Sequence, residues 1–261
     1  MTIFIKEIRQ SFKALCIWTA SLVFLLAVCI FMFPEMKNDM DSVSNMFANM
    51  GAFSAAFGMD KLNFGELMGF YAVECGNMMG IGGAMFAAII GISTLCDEEN
   101  KKTAEYLLTH PVSRSRVVLQ KLLSVISQIT ILNTLCVVIT LICAAIIGES
   151  FEMKEFLLLH LAFYIMQLEI AFICFAISAF LSRGGMGIGI GAALAFYFMN
   201  LIANMTDKAE FLKYITPFSY AEASDIITES KINMTYLIIG IAISVISIIL
   251  AFVKYNKKDI Q

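Results

Sequence analysis

DEENKKTAEYLLTHPVSRSRVVLQK, residues 97–121, carries nine formal charges in 25 residues and a single proline, Pro111. Residues 70–96 before it and 122–147 after it are long and apolar. A helix needs about 20 mostly apolar residues to cross roughly 30 Å of hydrocarbon. Both flanks meet that length, so the charged stretch reads as a water-exposed connection between two membrane spans.

Four further stretches meet the same length rule: 14–33, 156–181, 186–205 and 236–253. Backbone N–H and C=O groups in lipid must be bonded within their own segment, so all six are predicted helices. Composition agrees. Apolar residues make up 59% and charged residues 15%, against about 45–50% and 25% in soluble domains. Phe (22) and Met (17) are abundant and Pro (3) is scarce. The expected fold is therefore an all-α membrane protein, one domain over 1–261 with six transmembrane helices. Six spans leave no room for a separate soluble domain.

Six spans put both termini on one side. That side holds twelve basic residues: Lys6, Arg9, Lys13, Lys101, Lys102, Arg114, Arg116, Lys121, Arg183, Lys254, Lys257 and Lys258. The other side holds six: Lys37, Lys61, Lys154, Lys208, Lys213 and Lys231. The positive-inside rule predicts cytoplasmic termini and a cytoplasmic 97–121. The net charge of −3 hides this asymmetry and gives no reason to expect a nucleic-acid partner. No cleavable leader is expected, because the first apolar run is too long and lacks a small-residue cleavage site. LAVC, ending at Cys29, only faintly resembles a lipoprotein box, since Val28 is too large and the span continues past it. The seven cysteines are odd in number and form no C-x-x-C, so neither a disulfide framework nor a zinc site is indicated.

Phe4, Ile8 and Phe12 recur every four residues with Lys6, Arg9 and Lys13 mostly off that stripe. The pattern fits an amphipathic interfacial helix over 1–13 and equally an extension of span one. In the loop 34–69, Val43, Met46, Phe47, Met50, Phe53 and Phe57 keep helical spacing, which predicts an amphipathic helix packed on span ends. The loop 206–235 is expected to hold two short helices broken at Pro217. The connection 148–155 is short and acidic. Gly185, Gly187, Gly189 and Gly191 open span five as two rows of glycines four apart, a pattern that admits close helix approach within the chain or across a dimer. Gly76, Gly80 and Gly83 in span two invite the same reading. The dinucleotide-like Gly187-x-Gly189-x-x-Ala192 fails, because no strand precedes it. No repeat relates spans one to three with four to six, which weighs against an inverted-repeat transporter.

Charged and polar groups within spans default to functional candidates. Glu169 lies midway along span four, with Gln167 near it and His160 nearer the outer end. Glu74 and Asn77 lie toward the outer end of span two, and Asn200 and Asn204 toward that of span five. Glu169 fits either a polar pathway or a buried bond between helices. Enzyme signatures are missing, and His110 and His160 are too far apart for one metal site. No catalytic residue, metal or cofactor is assigned to this chain.

Within 97–121, residues 98–109 can form a short helix with Ala104, Leu107 and Leu108 together. Pro111 ends it near His110, and Ser113 is a predicted N-cap for a second helix carrying Arg114, Arg116 and Lys121 into span three. From charge alone this is a solvated turn or a docking knob. The pattern resembles the signature of type-2 ABC exporter permeases: acidic residues, Gly-Thr, Leu-Leu, Pro-Val-Ser-Arg and a later Lys, between spans two and three. Glu98, Glu99, Thr103, Leu107, Leu108, Pro111, Val112, Ser113, Arg114 and Lys121 match it, and Lys102 stands where the family has glycine.

The resemblance implies a permease without its own ATPase, in a bacterial cell membrane. Two six-span subunits, expected as a homodimer, would each dock a separate ATP-binding subunit holding ATP and Mg. The docking element would be a coupling helix built from Glu99, Lys102, Thr103, Glu105, Tyr106, Leu107, Leu108, Pro111 and Arg114. Spans one and five would form the dimer contact. The expected cargo is hydrophobic or amphipathic: a peptide, a peptide antibiotic or a lipid-like molecule. The competing readings are an ion-coupled transporter or channel using Glu169, and a non-transporting scaffold.

Overall fold

The structure, a computed structural model, describes residues 2–37, 50–100, 113–181 and 185–258. Six helices are long and apolar enough to cross a membrane: α1 (Thr2–Met36), α3 (Leu67–Asn100), α4 (Arg114–Ile147), α5 (Met153–Ser178), α6 (Met186–Met205) and α8 (Met234–Lys257). The short helices α2 (Ala52–Ala56) and α7 (Ala223–Glu229) lie in the connections, with 3₁₀ helices Asp207–Tyr214 and Pro217–Ala221 between α6 and α7. No strand occurs among the described residues.

Local chemistry sets the boundaries. Ser113 is extended (φ −65°, ψ 144°) and its Oγ accepts from the Arg116 N–H at 3.4 Å, capping α4 as its sequence predicts. Gly148 closes α4 in the left-handed conformation (φ 77°) with its N–H on Ala144 O. Pro217 starts the second 3₁₀ helix, where its missing N–H is harmless, and Thr216 Oγ1 accepts from Phe218 N at 3.3 Å. The loop 206–235 thus breaks at the expected proline, but into three short pieces, not two. Extended backbone at Glu222 (φ −66°, ψ 114°) separates the second 3₁₀ helix from α7. The helix expected in 34–69 is a single described turn, α2; Val43, Met46 and Phe47 lie outside the described residues.

The bundle has an apolar core, with Phe33, Phe86, Phe156 and Phe175 fully buried, and also turns many large apolar side chains outward. Helices α3 and α5 are the most enclosed and pack on each other; α1, α6 and α8 are the most open. On α8, Gly240, Ser247, Ala251 and Tyr255 face inward, while Ile238, Ile241, Val245 and Ile249 are 50–64% exposed. Such an apolar exterior would aggregate in water and suits lipid.

Helix α1 is unbroken. At 35 residues it is about 50 Å long, so its start continues the span beyond the hydrocarbon. Ile3, Glu7, Leu15, Leu22 and Leu26 face the bundle, whereas Phe12 is 56% exposed. The two glycine rows of α6 also part company. A Cβ on Gly189 would lie 2.8 Å from Ile92 Cγ2 and 3.0 Å from Ala88 O, and one on Gly185 2.7 Å from Ile92 Cγ1, so this row seats α6 on α3. A Cβ on Gly187 or Gly191 would meet nothing within 4 Å.

Candidate functional site

At the end of the bundle that carries both termini, residues 114–121 are bonded to their surroundings on several sides. Lys121 is fully buried. Its Nζ donates to Glu7 Oε1 of α1 at 3.1 Å and to Thr94 O of α3 at 2.6 Å. Arg114 Nη1 donates to Lys258 O at 2.5 Å and Asn256 O at 3.4 Å, answering carbonyls that the end of α8 leaves without helical partners. Ser115 and Asn256 also bond, at 3.0 Å. Lys258 Nζ in turn donates to Leu181 O, just beyond α5, at 2.7 Å. The first two turns of α4 are therefore tied to α1, α3 and α8, and through Lys258 to the end of α5. Of the expected docking residues, Arg114 belongs to this junction and Glu99 to the last turn of α3. Lys102, Thr103, Glu105, Tyr106, Leu107, Leu108 and Pro111 lie outside the described residues.

A cleft of about 540 Å³ opens between α1, α3 and α6 toward the opposite, distal end. Trp18, Leu22, Leu25 and Ile81 form its apolar wall; Ser21, Glu74, Asn77 and Tyr197 are its polar groups. Beside it is a smaller cavity of about 40 Å³ that shares Phe57, Asn77 and Tyr197 and adds Asn200 and Glu222. Glu222 Oε2 accepts from Asn200 Nδ2 at 2.9 Å and Asn204 Nδ2 at 2.8 Å. Tyr197 Oη donates to Asn77 Oδ1 at 3.4 Å. Burial pushes the Glu222 carboxyl above its ordinary range, and the two amide donors pull against that shift.

A family model described as ABC-2 family transporter protein matches residues 1–260. The chain belongs to this family. No curated protein matches it in sequence. The family and the six apolar helices make it a multi-pass membrane transporter permease.

In this ABC-2 permease the intramembrane candidates fall into two groups. Glu74, Asn77 and Asn200 line the cleft or its side cavity. Gln167 and Glu169 line neither. Gln167 Oε1 accepts from Asn133 Nδ2 at 2.7 Å and its Nε2 donates to Met79 O at 3.4 Å, joining α5 to α4 and α3. Glu169 is 2% exposed and accepts from Tyr220 Oη at 2.7 Å. Gly240 leaves room for this pair, since a Cβ there would collide with the Glu169 carboxylate. His160 bonds Tyr71 at 2.9 Å, deep between α5 and α3.

Sequence reading missed Glu7, Trp18, Tyr197 and Glu222. Two of them carry a signal. Glu7 is the sole acidic residue before position 35, on a segment otherwise basic and apolar. Glu222 follows the apolar run PFSYA, a place where a carboxylate needs a reason.

Proposed function

We propose that the chain is the membrane half of an ATP-driven exporter in a bacterial cell membrane. The terminal end faces the cytoplasm, as its twelve basic residues favour. A separate ATP-binding subunit docks on residues 98–114 and holds ATP and Mg. A second copy of the chain completes the assembly, with two ATPases in all. The open faces of α1 and α6, including Gly187 and Gly191, are suited to that contact.

The observation that carries this reading is the bonded junction at 114–121. A push on the segment before Ser113 reaches the start of α4. Lys121 and Arg114 then hand it to α1, α3 and α8 through buried or charge-assisted bonds, which do not slip as a solvated turn does. The cleft supplies a place for a hydrophobic or amphipathic cargo, of which a peptide antibiotic is one instance. A pocket of 300–1,000 Å³ encloses a drug-sized molecule. The competing ion-carrier reading of Glu169 gains nothing from its bond to Tyr220, which favours a packing role.

Purification of the tagged chain from its native membrane is expected to bring an ATP-binding subunit with it. Leu107→Asp/Leu108→Asp is expected to release that subunit while the permease stays folded. Retention of the ATPase by the double variant would move the docking surface elsewhere. Transport by the chain with no ATPase present would overturn the exporter reading.

A further inference from the structure

The proposed cargo path has acidic groups and no basic ones. Among the described residues, the lining of the cleft and its side cavity includes Glu74 and Glu222 but neither Lys nor Arg. Nearby Lys61 is engaged with Asp225 at 2.8 Å. The side cavity also holds an unmet acceptor. Asn200 is 6% exposed, its Nδ2 donates to Glu222, and its Oδ1 is a buried acceptor with no partner among the described residues. Leaving such an acceptor without a donor is unfavourable, so a ligand that supplies a donor gains on arrival. Asn77 Oδ1 uses one lone pair on Tyr197 and has a second to offer.

Size narrows the donor. One water needs about 10–15 Å³ of probe-occupied space. The side cavity, at about 40 Å³, has room for a primary ammonium with a water or two and is tight for a trimethylated head. The adjoining cleft is apolar along Trp18, Leu22 and Ile81.

We infer that the cleft takes an amphiphile with a primary ammonium head. Its N–H groups are shared among Asn200 Oδ1, Asn77 Oδ1 and the Glu222 carboxylate, and its tail lies along the Trp18 wall near Glu74. This inference rests on the reading of the cleft as cargo path and names the cargo's chemistry.

Trp18 is the one tryptophan of the chain and lines the cleft, so its fluorescence reports occupancy. The full-length permease, in phosphatidylcholine vesicles without any ATPase, is titrated with four probes of equal tail: dodecylammonium, dodecyltrimethylammonium, dodecanol and dodecyl sulfate. Dodecylammonium is expected to half-saturate the response at a concentration about tenfold lower than any other, the worth of one charge-assisted bond. Glu222→Gln keeps the side-chain shape and is expected to erase most of that advantage. Because vesicles take up each probe alike in both proteins, the difference belongs to the site. Adding Asn200→Asp to Glu222→Gln returns a carboxylate to the cavity and is expected to restore selectivity. Equal or tighter binding of the sulfate, the alcohol or the trimethylated probe overturns the inference, as does a Glu222→Gln profile like the wild type. An ATPase that copurifies with a permease lacking head selectivity sinks this inference alone. Selective binding by a permease that captures no ATPase sinks the exporter reading alone.

Discussion

The two ends of the bundle treat polar groups in opposite ways. At the terminal end, the ammonium of Lys121 is fully buried and bonded to Glu7 and Thr94, and Arg114 and Lys258 close the carbonyl ends of neighbouring helices. In the side cavity of the distal cleft Asn200 Oδ1 lacks a donor among the described residues, and in the cleft Glu74 has no basic residue beside it in the lining. A junction that passes force must have its bonds made, because each missing one is a joint that gives. A binding site must leave bonds for its ligand to make. Saturation suits the part that moves as a unit; an unmade bond that borders a cavity, as at Asn200, suits the part that receives something.

The comparison breaks most visibly at Lys121. Lys121→Met leaves Glu7, 8% exposed, without its partner in a closed environment. Breaking a buried pair this way costs about 3–5 kcal/mol, and the apparent melting temperature of the detergent-purified protein should fall further than for any cleft variant. Adding Glu7→Leu removes the stranded charge and should recover most of the stability, since apolar replacement of both partners is often close to neutral. ATPase stimulation should not return in full, because the charged tie between α1 and α4 is gone and only packing and the Phe4 N–H to Gln120 Oε1 bond (3.3 Å) still join them. A harmless Lys121→Met, or a double variant as unstable as the single, would mean that the terminal end is not held by this pair.

The glycine rows of α6 offer a finer cut. Gly189→Leu drives a side chain into Ile92 and Ala88, an overpacking worth about 1–3 kcal/mol. Gly187→Leu, with nothing within 4 Å of its Cβ, should leave the melting temperature unchanged and lower the dimer fraction seen by light scattering. A Gly187→Leu protein that stays fully dimeric would remove this row from the subunit contact. Tyr220→Phe withdraws the donor from buried Glu169 and should cost about 1–3 kcal/mol with little effect on cargo binding. Lost binding at unchanged stability would place Glu169 in the path after all.

Span number and the cap at Ser113 were legible because each rests on local chemistry: apolar length, or one hydroxyl beside free N–H groups. The break at Pro217 was legible for the same reason. The division of labour among polar residues was not. Glu169 and Glu74 look alike in sequence, each a lone carboxylate in an apolar run. They separate only through contacts far along the chain: Tyr220 and Gly240 fold against Glu169, while Trp18 and Tyr197 flank Glu74 across an opening. The N-terminal stripe left two readings open for the same reason. Phe4, Ile8 and Phe12 fit an interfacial helix or a longer span alike, and the face that meets the bundle is that of Ile3, Glu7 and Leu15. Glu7 there pairs with a residue 114 positions away.

The smallest expected effect tests the deficit at the cleft by pH. Burial holds the Glu222 carboxyl above the ordinary 4.5, against the donation of Asn200 and Asn204. Of the charged groups facing it, Asp225 adds to the shift and Lys61 opposes it; Glu74 and Tyr197 line the adjoining space. As pH falls through the raised value, Glu222 is protonated sooner than an exposed glutamate and loses its attraction for an ammonium. Dodecylammonium affinity should therefore weaken on acidification, at a higher pH than titration of an exposed glutamate would allow. Unfolding is not the cause. A carboxyl whose folded pKa is raised contributes stability that is complete at low pH and lost on alkalisation, so acid does not weaken the fold on its account. Glu222→Gln should flatten this part of the profile, leaving only what Glu74 contributes. A wild-type affinity that rises on acidification would mean that the carboxylates of the cleft and its side cavity do not attract the ammonium, and the contrast between a saturated and a deficient end would lose its functional sense.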